Sequence, residues 1–129
     1  MTATELAQRA REAAGRAYAP YSGFRVGSVV VADDGTIYAG ANVENAAYGS
    51  TICAESTAIA HAVSSGARRL TTVAVACIDA ESVEDAYPCG QCRQRMTEFG
   101  VETVLVTAGS GEVRQHALGE LLPHGFRLG

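Results

Sequence analysis

The chain contains no lysine: its ten basic residues are all arginine, set against fourteen acidic ones for a formal net charge of −4. We read the arginine-only usage as coding bias. Without an excess of positive charge there is no electrostatic footprint for a polyanion, so a nucleic-acid partner is disfavoured, while a single nucleoside as ligand is not. Long apolar runs are missing too. None approaches the roughly 20 residues that span a bilayer, and residues 1–19 are polar and charged, without the apolar core of a secretion signal. No membrane partner is expected, and the cytoplasm is the expected location. Charged residues make up 19 % of the chain and hydrophobic ones 47 %, with clear turn punctuation, which argues against disorder. Half of 129 residues is too few to bury a good core, so a single domain over 1–129 is expected.

What is there falls into short, well-punctuated segments. Residues 3–17 read as a helix, with Leu6, Ala10, Ala13 and Ala17 on one face and Thr2 or Thr4 as cap. Residues 24–32 read as a strand, Asp33-Asp34-Gly35 as a hairpin turn, and residues 36–43 as the antiparallel partner. A polar loop over 42–51 is of the kind that carries function when a scaffold holds it still. Residues 52–64 then read as a helix, 70–77 as a buried strand, 78–88 as an acidic loop, and 89–99 as a helix closed by Gly100. Strands over 101–106 and 113–117 and a helical turn at 118–122 complete the chain. Helices alternating with strands predict right-handed crossovers and an α/β fold, a mixed sheet covered by helices. In such a sheet the strand-to-helix junctions gather at one edge, where ligands bind.

Cys53 and Cys89 both sit at such junctions. Two disulfides are disfavoured for the four cysteines, because no secretion signal is visible and two of them form Cys89-Gly90-Gln91-Cys92. Three thiolates hold a metal and leave one tetrahedral position open, the mark of a catalytic zinc. Cys89 and Cys92 are three positions apart at a helix start, so both face one point, and helix N-termini stabilise thiolates. Three thiolates against a divalent cation leave one net negative charge, so a nearby cation such as Arg93 becomes relevant. Glu55 is placed to move protons beside the metal. Other readings stand beside this one. A thioredoxin-like redox pair leaves Cys53 and Glu55 unexplained. A structural zinc needs a fourth ligand: His61 should point away, Cys77 ends the core series Val73, Val75, Cys77, and His116 and His124 read as packing or surface residues.

These residues resemble a known family. Cys53-Ala54-Glu55 with Pro88-Cys89-Gly90-Gln91-Cys92-Arg93-Gln94 is similar to the motif pair of the zinc nucleoside deaminases. Residues 20–27, 42–49 and 121–126 further resemble the first-strand, nucleoside-loop and C-terminal motifs of the small homotetrameric cytidine deaminases, in register from about residue 13 to 126. The resemblance implies a three-layer α/β/α sandwich with a five-stranded mixed sheet. It also implies one zinc per subunit on Cys53, Cys89 and Cys92, and hydrolysis of cytidine and deoxycytidine to uridine and deoxyuridine in pyrimidine salvage. Asn42 and Glu44, which point the same way on an extended segment, would hold the ribose hydroxyls, and Phe24 would stack on the pyrimidine. The Ala54 backbone and Glu55 would read the base edge, with ammonia leaving on the Pro88 side. Ala46, Tyr48 and Phe126 would complete the sites of neighbouring subunits.

One position departs from the family. After Cys-Ala-Glu most relatives carry an arginine that hydrogen-bonds the cysteine sulfurs, whereas this chain has Ser56. A hydroxyl brings no charge, so the site is expected to be unusually negative, with Arg93 supplying part of the compensation. The nearest alternative substrate is another cytosine compound such as a blasticidin S-like nucleoside antibiotic; Asn42-Val43-Glu44-Asn45 favours an ordinary ribose. A zinc module that binds partners without catalysis is the alternative from another class, opposed by Glu55 and the lack of a clear fourth ligand.

Overall fold

A computed structural model describes residues 1–128. The described elements run α1 (Ala3–Ala14), β1 (Val26–Ala32), β2 (Ile37–Ala41), α2 (Ala54–Ser64), β3 (Leu70–Cys77), α3 (Gly90–Glu98), β4 (Thr103–Ala108), β5 (Val113–Ala117) and the single turn α4 (Leu118–Leu121). Thr2 caps α1, its Oγ1 accepting from the Glu5 N–H at 3.1 Å. The helix ends three residues before the expected Ala17. Gly15 is a poor helix former, and Tyr18 is drawn into bridging, its N–H bonding the Asn42 carbonyl at 2.9 Å.

The sheet order is β2-β1-β3-β4-β5. β1 is antiparallel to both β2 and β3, β3 is parallel to β4, and β5 is antiparallel to β4. β2, β3 and β4 therefore share one direction, with β1 inserted between the first two. Both crossovers, β2–α2–β3 and β3–α3–β4, start from the same sheet edge. The side-chain alternation of β3 separates the two faces. Val73, Val75 and Cys77 pack with Ala58, Ile59 and Ala62 of α2 and with Cys92 and Met96 of α3. Ala74 and Ala76 pack with Leu6 and Ala10 of α1, together with Val29 and Leu105. The result is the expected α/β/α sandwich with a five-stranded mixed sheet.

Two close approaches set the spacing of these layers. A methyl group at Gly40 of β2 would lie 2.9 Å from Ala58 Cα of α2 and closer still to its nitrogen, and one at Gly27 of β1 would meet the Ala10 and Ala14 backbone of α1. Neither neighbour is a flexible side-chain end, so backbone must move. Gly40→Ala is expected to lower unfolding stability by about 1–3 kcal/mol, the usual range for overpacking. Because α2 begins beside Cys53, the same change should weaken metal retention. Chemical denaturation and zinc analysis of the variant check both outcomes; unchanged stability would show that the helix shifts freely.

Candidate active site

Cys53 and Cys89 are the N-cap residues of α2 and α3, and neither side chain is used as a cap. Both thiols therefore lie at helix N-termini, whose partial positive charge favours thiolates. Cys92 enters from the first turn of α3. The three sulfurs lie within 4.8 Å of one another, and Cys53 Sγ is 3.8 Å from Cys89 Sγ with no disulfide formed. A tetrahedral zinc with bonds of about 2.3 Å spaces its sulfurs about 3.8 Å apart, so this donor set fits the metal. Among the described residues no fourth ligand joins the group. His61 turns away as expected, its Nδ1 3.1 Å from the Ala39 carbonyl and its ring edge-on to Tyr38. In the metal-free thiols, the bond between them pulls Cys53 down and pushes Cys92 up, and burial pushes Cys92 further.

A cavity of about 450 Å³ opens beside the sulfurs, with Phe24, Asn42, Glu44, Ala54 and Glu55 on its walls. Glu55 is only 4 % exposed. Burial raises its carboxyl above the ordinary range, opposed only by its own backbone N–H. That suits a group that must take up a proton as well as release it. The opposite wall comes from the chain before α2. Val43 and Ile52 exchange two backbone hydrogen bonds of 2.9 Å, pinning the ends of the loop that runs between them into Cys53. Asn42 accepts from the Val26 N–H and donates to the Phe24 carbonyl, both at 2.9 Å, which ties it to the start of β1. An amide nitrogen carries two hydrogens, so one remains for a ligand. Glu44 Oε1 accepts from the Tyr21 and Ser22 N–H groups at 3.0 and 3.1 Å, and Oε2 accepts from the Ser22 hydroxyl. The Ser22 hydroxyl above all holds the Glu44 carboxyl below its ordinary range, so it stays ionised.

Residues 1–108 match the model of the cytidine and deoxycytidylate deaminase zinc-binding region. The chain belongs to that deaminase family. It is 41 % identical over 128 residues to a cytidine deaminase of Sporosarcina psychrophila, covering 98 % of this chain and 92 % of that one. To a cytidine deaminase of Mycobacterium tuberculosis it is 42 % identical over 123 residues, covering 95 % and 88 %. The crystal structure of cytidine deaminase from Burkholderia pseudomallei superposes with a TM-score of 0.89 at 42 % identity, covering 98 % of this chain and all of the other. No helix among the described residues is long and apolar enough to cross a membrane. The cluster of three cysteines is compatible with the zinc site of such a domain.

The surroundings of the deaminase site hold several residues that sequence reasoning passed over. Asp85, Ala86 and Tyr87, read only as part of an acidic loop, line the cavity, and a short 3-10 turn at Val83–Asp85 shapes them. Tyr87 is braced by His116, whose Nε2 lies 2.8 Å from the phenol. Cys77 is buried, as a core thiol should be, and also lines the cavity; burial pushes it up to about 12. Ala46, Tyr48 and Phe126 do not line this cavity within their own chain; Tyr48 and Phe126 are 79 % and 66 % exposed. Arg93 departs from expectation. Its guanidinium donates to the Pro88 and Leu121 carbonyls at 2.8 and 2.7 Å rather than to a sulfur. The cation that reaches Ser56 is Arg95, with Nη1 2.8 Å from the hydroxyl. The spacing Cys92–Arg95, one helical turn on one face, was the available signal.

Proposed function

We propose that this protein is a cytidine deaminase of pyrimidine salvage, converting cytidine and deoxycytidine with water to uridine and deoxyuridine plus ammonia. The observation that carries this reading is the buried Glu55 carboxyl opening into one cavity with the zinc cysteines, Phe24, Asn42 and Glu44. Zinc, when bound by Cys53, Cys89 and Cys92, supplies the Lewis acidity that makes water nucleophilic at neutral pH. Glu55 takes the proton that water gives up as its oxygen bonds to carbon 4, and delivers it to ring nitrogen 3. The remaining proton of the added hydroxyl then passes by the same carboxylate to the departing amine as the carbon 4–nitrogen bond breaks, leaving the uracil carbonyl and ammonia. The raised carboxyl lets one group serve both directions of transfer.

Phe24 stacks on the pyrimidine, and the Ala54 backbone meets the base edge. Asn42 donates its second amide hydrogen to a ribose hydroxyl, and Glu44 accepts from another with its ionised oxygens. Both are held by backbone bonds before substrate arrives, which limits the ordering cost of binding. Pro88 bounds the side where ammonia leaves. The chain acts as one catalytic domain in the cytoplasm, in a homotetramer where Ala46, Tyr48 and Phe126 reach neighbouring sites. Supporting the assembly, Tyr18, Tyr21, Val43, Tyr48, Ile52 and Phe126 are large apolar side chains left exposed by the single chain.

Loss of ultraviolet absorbance by cytidine and deoxycytidine, with purified zinc-loaded protein, tests the activity. Turnover of both nucleosides is expected. Consumption of blasticidin S with neither nucleoside converted would overturn the substrate assignment. Sedimentation at other than four times the chain mass would overturn the tetramer.

A further inference from the structure

Arg95 is exposed and forms no ion pair among the described residues, yet its guanidinium is aimed inward at a buried hydroxyl. Ser56 is 6 % exposed, and its Oγ lies 2.8 Å from Arg95 Nη1 and 3.2 Å from the fully buried Cys92 Sγ. With Cys92 deprotonated, as a zinc ligand must be, the donors follow from the chemistry of the three groups. A guanidinium has hydrogens to give and no lone pair to receive one, so the Ser56 oxygen accepts from Arg95. A serine hydroxyl owns one hydrogen, and the remaining neighbour within bonding distance is the Cys92 sulfur. The chain of donation runs Arg95 to Ser56 to Cys92.

We propose that Arg95 is a positioning residue for the zinc site, delivering its charge through the Ser56 hydroxyl to the Cys92 thiolate. The need for such a group follows from the ligands themselves: three thiolates outweigh the divalent metal, and the Glu55 carboxyl lies in the same cavity. Hydrogen bonds to a ligating sulfur disperse its charge and orient it, as outer partners of metal ligands do. Arg93 is not free for the task, since both of its bonds go to carbonyls. The hydroxyl in the middle is polarised by the cation behind it, which makes it a stronger donor than a lone serine.

The inference rests on the three-cysteine zinc site and not on the substrate, so its readout is metal binding. Competition with a chromophoric chelator is expected to show zinc affinity about 10–100-fold weaker in Arg95→Met and in Ser56→Ala. Because the two side chains act in series, the double variant should lose no more than the weaker single variant. Arg95→Lys keeps the charge and should recover part of the loss. Thermal unfolding of the zinc-free proteins should leave Arg95→Met beside wild type. Wild-type zinc affinity in Arg95→Met, multiplied losses in the double variant, or a zinc-free melting loss matching the lost affinity would each overturn the relay. Wild-type protein that binds no zinc in the same titration would instead overturn the site itself.

Discussion

Glu55→Gln is expected to lower kcat about 10²–10⁴-fold, the usual contribution of a positioned acid–base group, while zinc content per chain stays at the wild-type value. The substitution keeps the shape of a side chain that is 4 % exposed, so packing is preserved. It removes the buried carboxyl to which the proposed mechanism gives proton transfer between water and the ring. Activity within tenfold of wild type, with zinc present, would remove Glu55 from the mechanism.

The same variant has a second expected signature. Burial raises the folded-state Glu55 carboxyl above its unfolded value. Such a group favours folding relative to its ionised form at pH below the unfolded pKa, and that advantage is lost as pH rises through the folded pKa. Above that range an ionised, desolvated carboxylate opposes folding, and glutamine does not. The zinc-free Glu55→Gln protein should therefore match or exceed wild-type stability at alkaline pH, measured by denaturant titration. Lower stability there would mean that the carboxylate is held by a favourable partner.

The second large effect separates two cysteines of the proposed zinc site by their burial. Cys89→Ala and Cys92→Ala should both abolish stoichiometric zinc and, with it, turnover. Their zinc-free forms should differ. Cys89 is exposed, so its loss should stay within about 0.5 kcal/mol of wild type. Cys92 is fully buried in the core cluster that also holds Val75 and Met96, and its sulfur is the partner of the Ser56 hydroxyl. Its removal leaves a void and a buried donor without an acceptor, together about 1–3 kcal/mol. Equal zinc-free stabilities would show that the interior collapses around the missing sulfur.

Much of this site could be read before any coordinates. The strand over 70–77 and the last strand over 113–117 match the structure at both ends, because alternation against a buried sheet is a strong local signal. Cys53, Cys89 and Cys92 converge as expected, since parallel crossovers align helix starts whatever the separation in sequence. The apolar period of α1 runs on to Ala17 beyond Gly15, while the helix stops at Ala14 because the bond of Tyr18 to Asn42 overrides that period. Arg95 was missed for a different reason. Adjacency in sequence pointed to Arg93, but neighbouring side chains on a helix diverge by about 100°, and the residue one turn from Cys92 shares its face. The contacts of Gly27 and Gly40 were illegible because interlayer distance has no sequence pattern of its own.

The position of the two ligand clusters bears on how the chain folds as well as on its chemistry. Cys53 and Cys89 are 36 residues apart, and the segment between them contains the whole of α2 and of β3. A zinc ion shared by its ends closes that segment as a covalent tie would, removing entropy from any partly unfolded form that keeps the metal. Metal binding and folding are then linked by mass action, each tenfold rise in free zinc above the dissociation constant adding about 1.4 kcal/mol. Central strand β3 lies within the closed segment and pairs with both β1 and β4, so zinc starvation is expected to loosen the middle of the sheet. Free zinc thereby becomes a variable of lifetime for this chain.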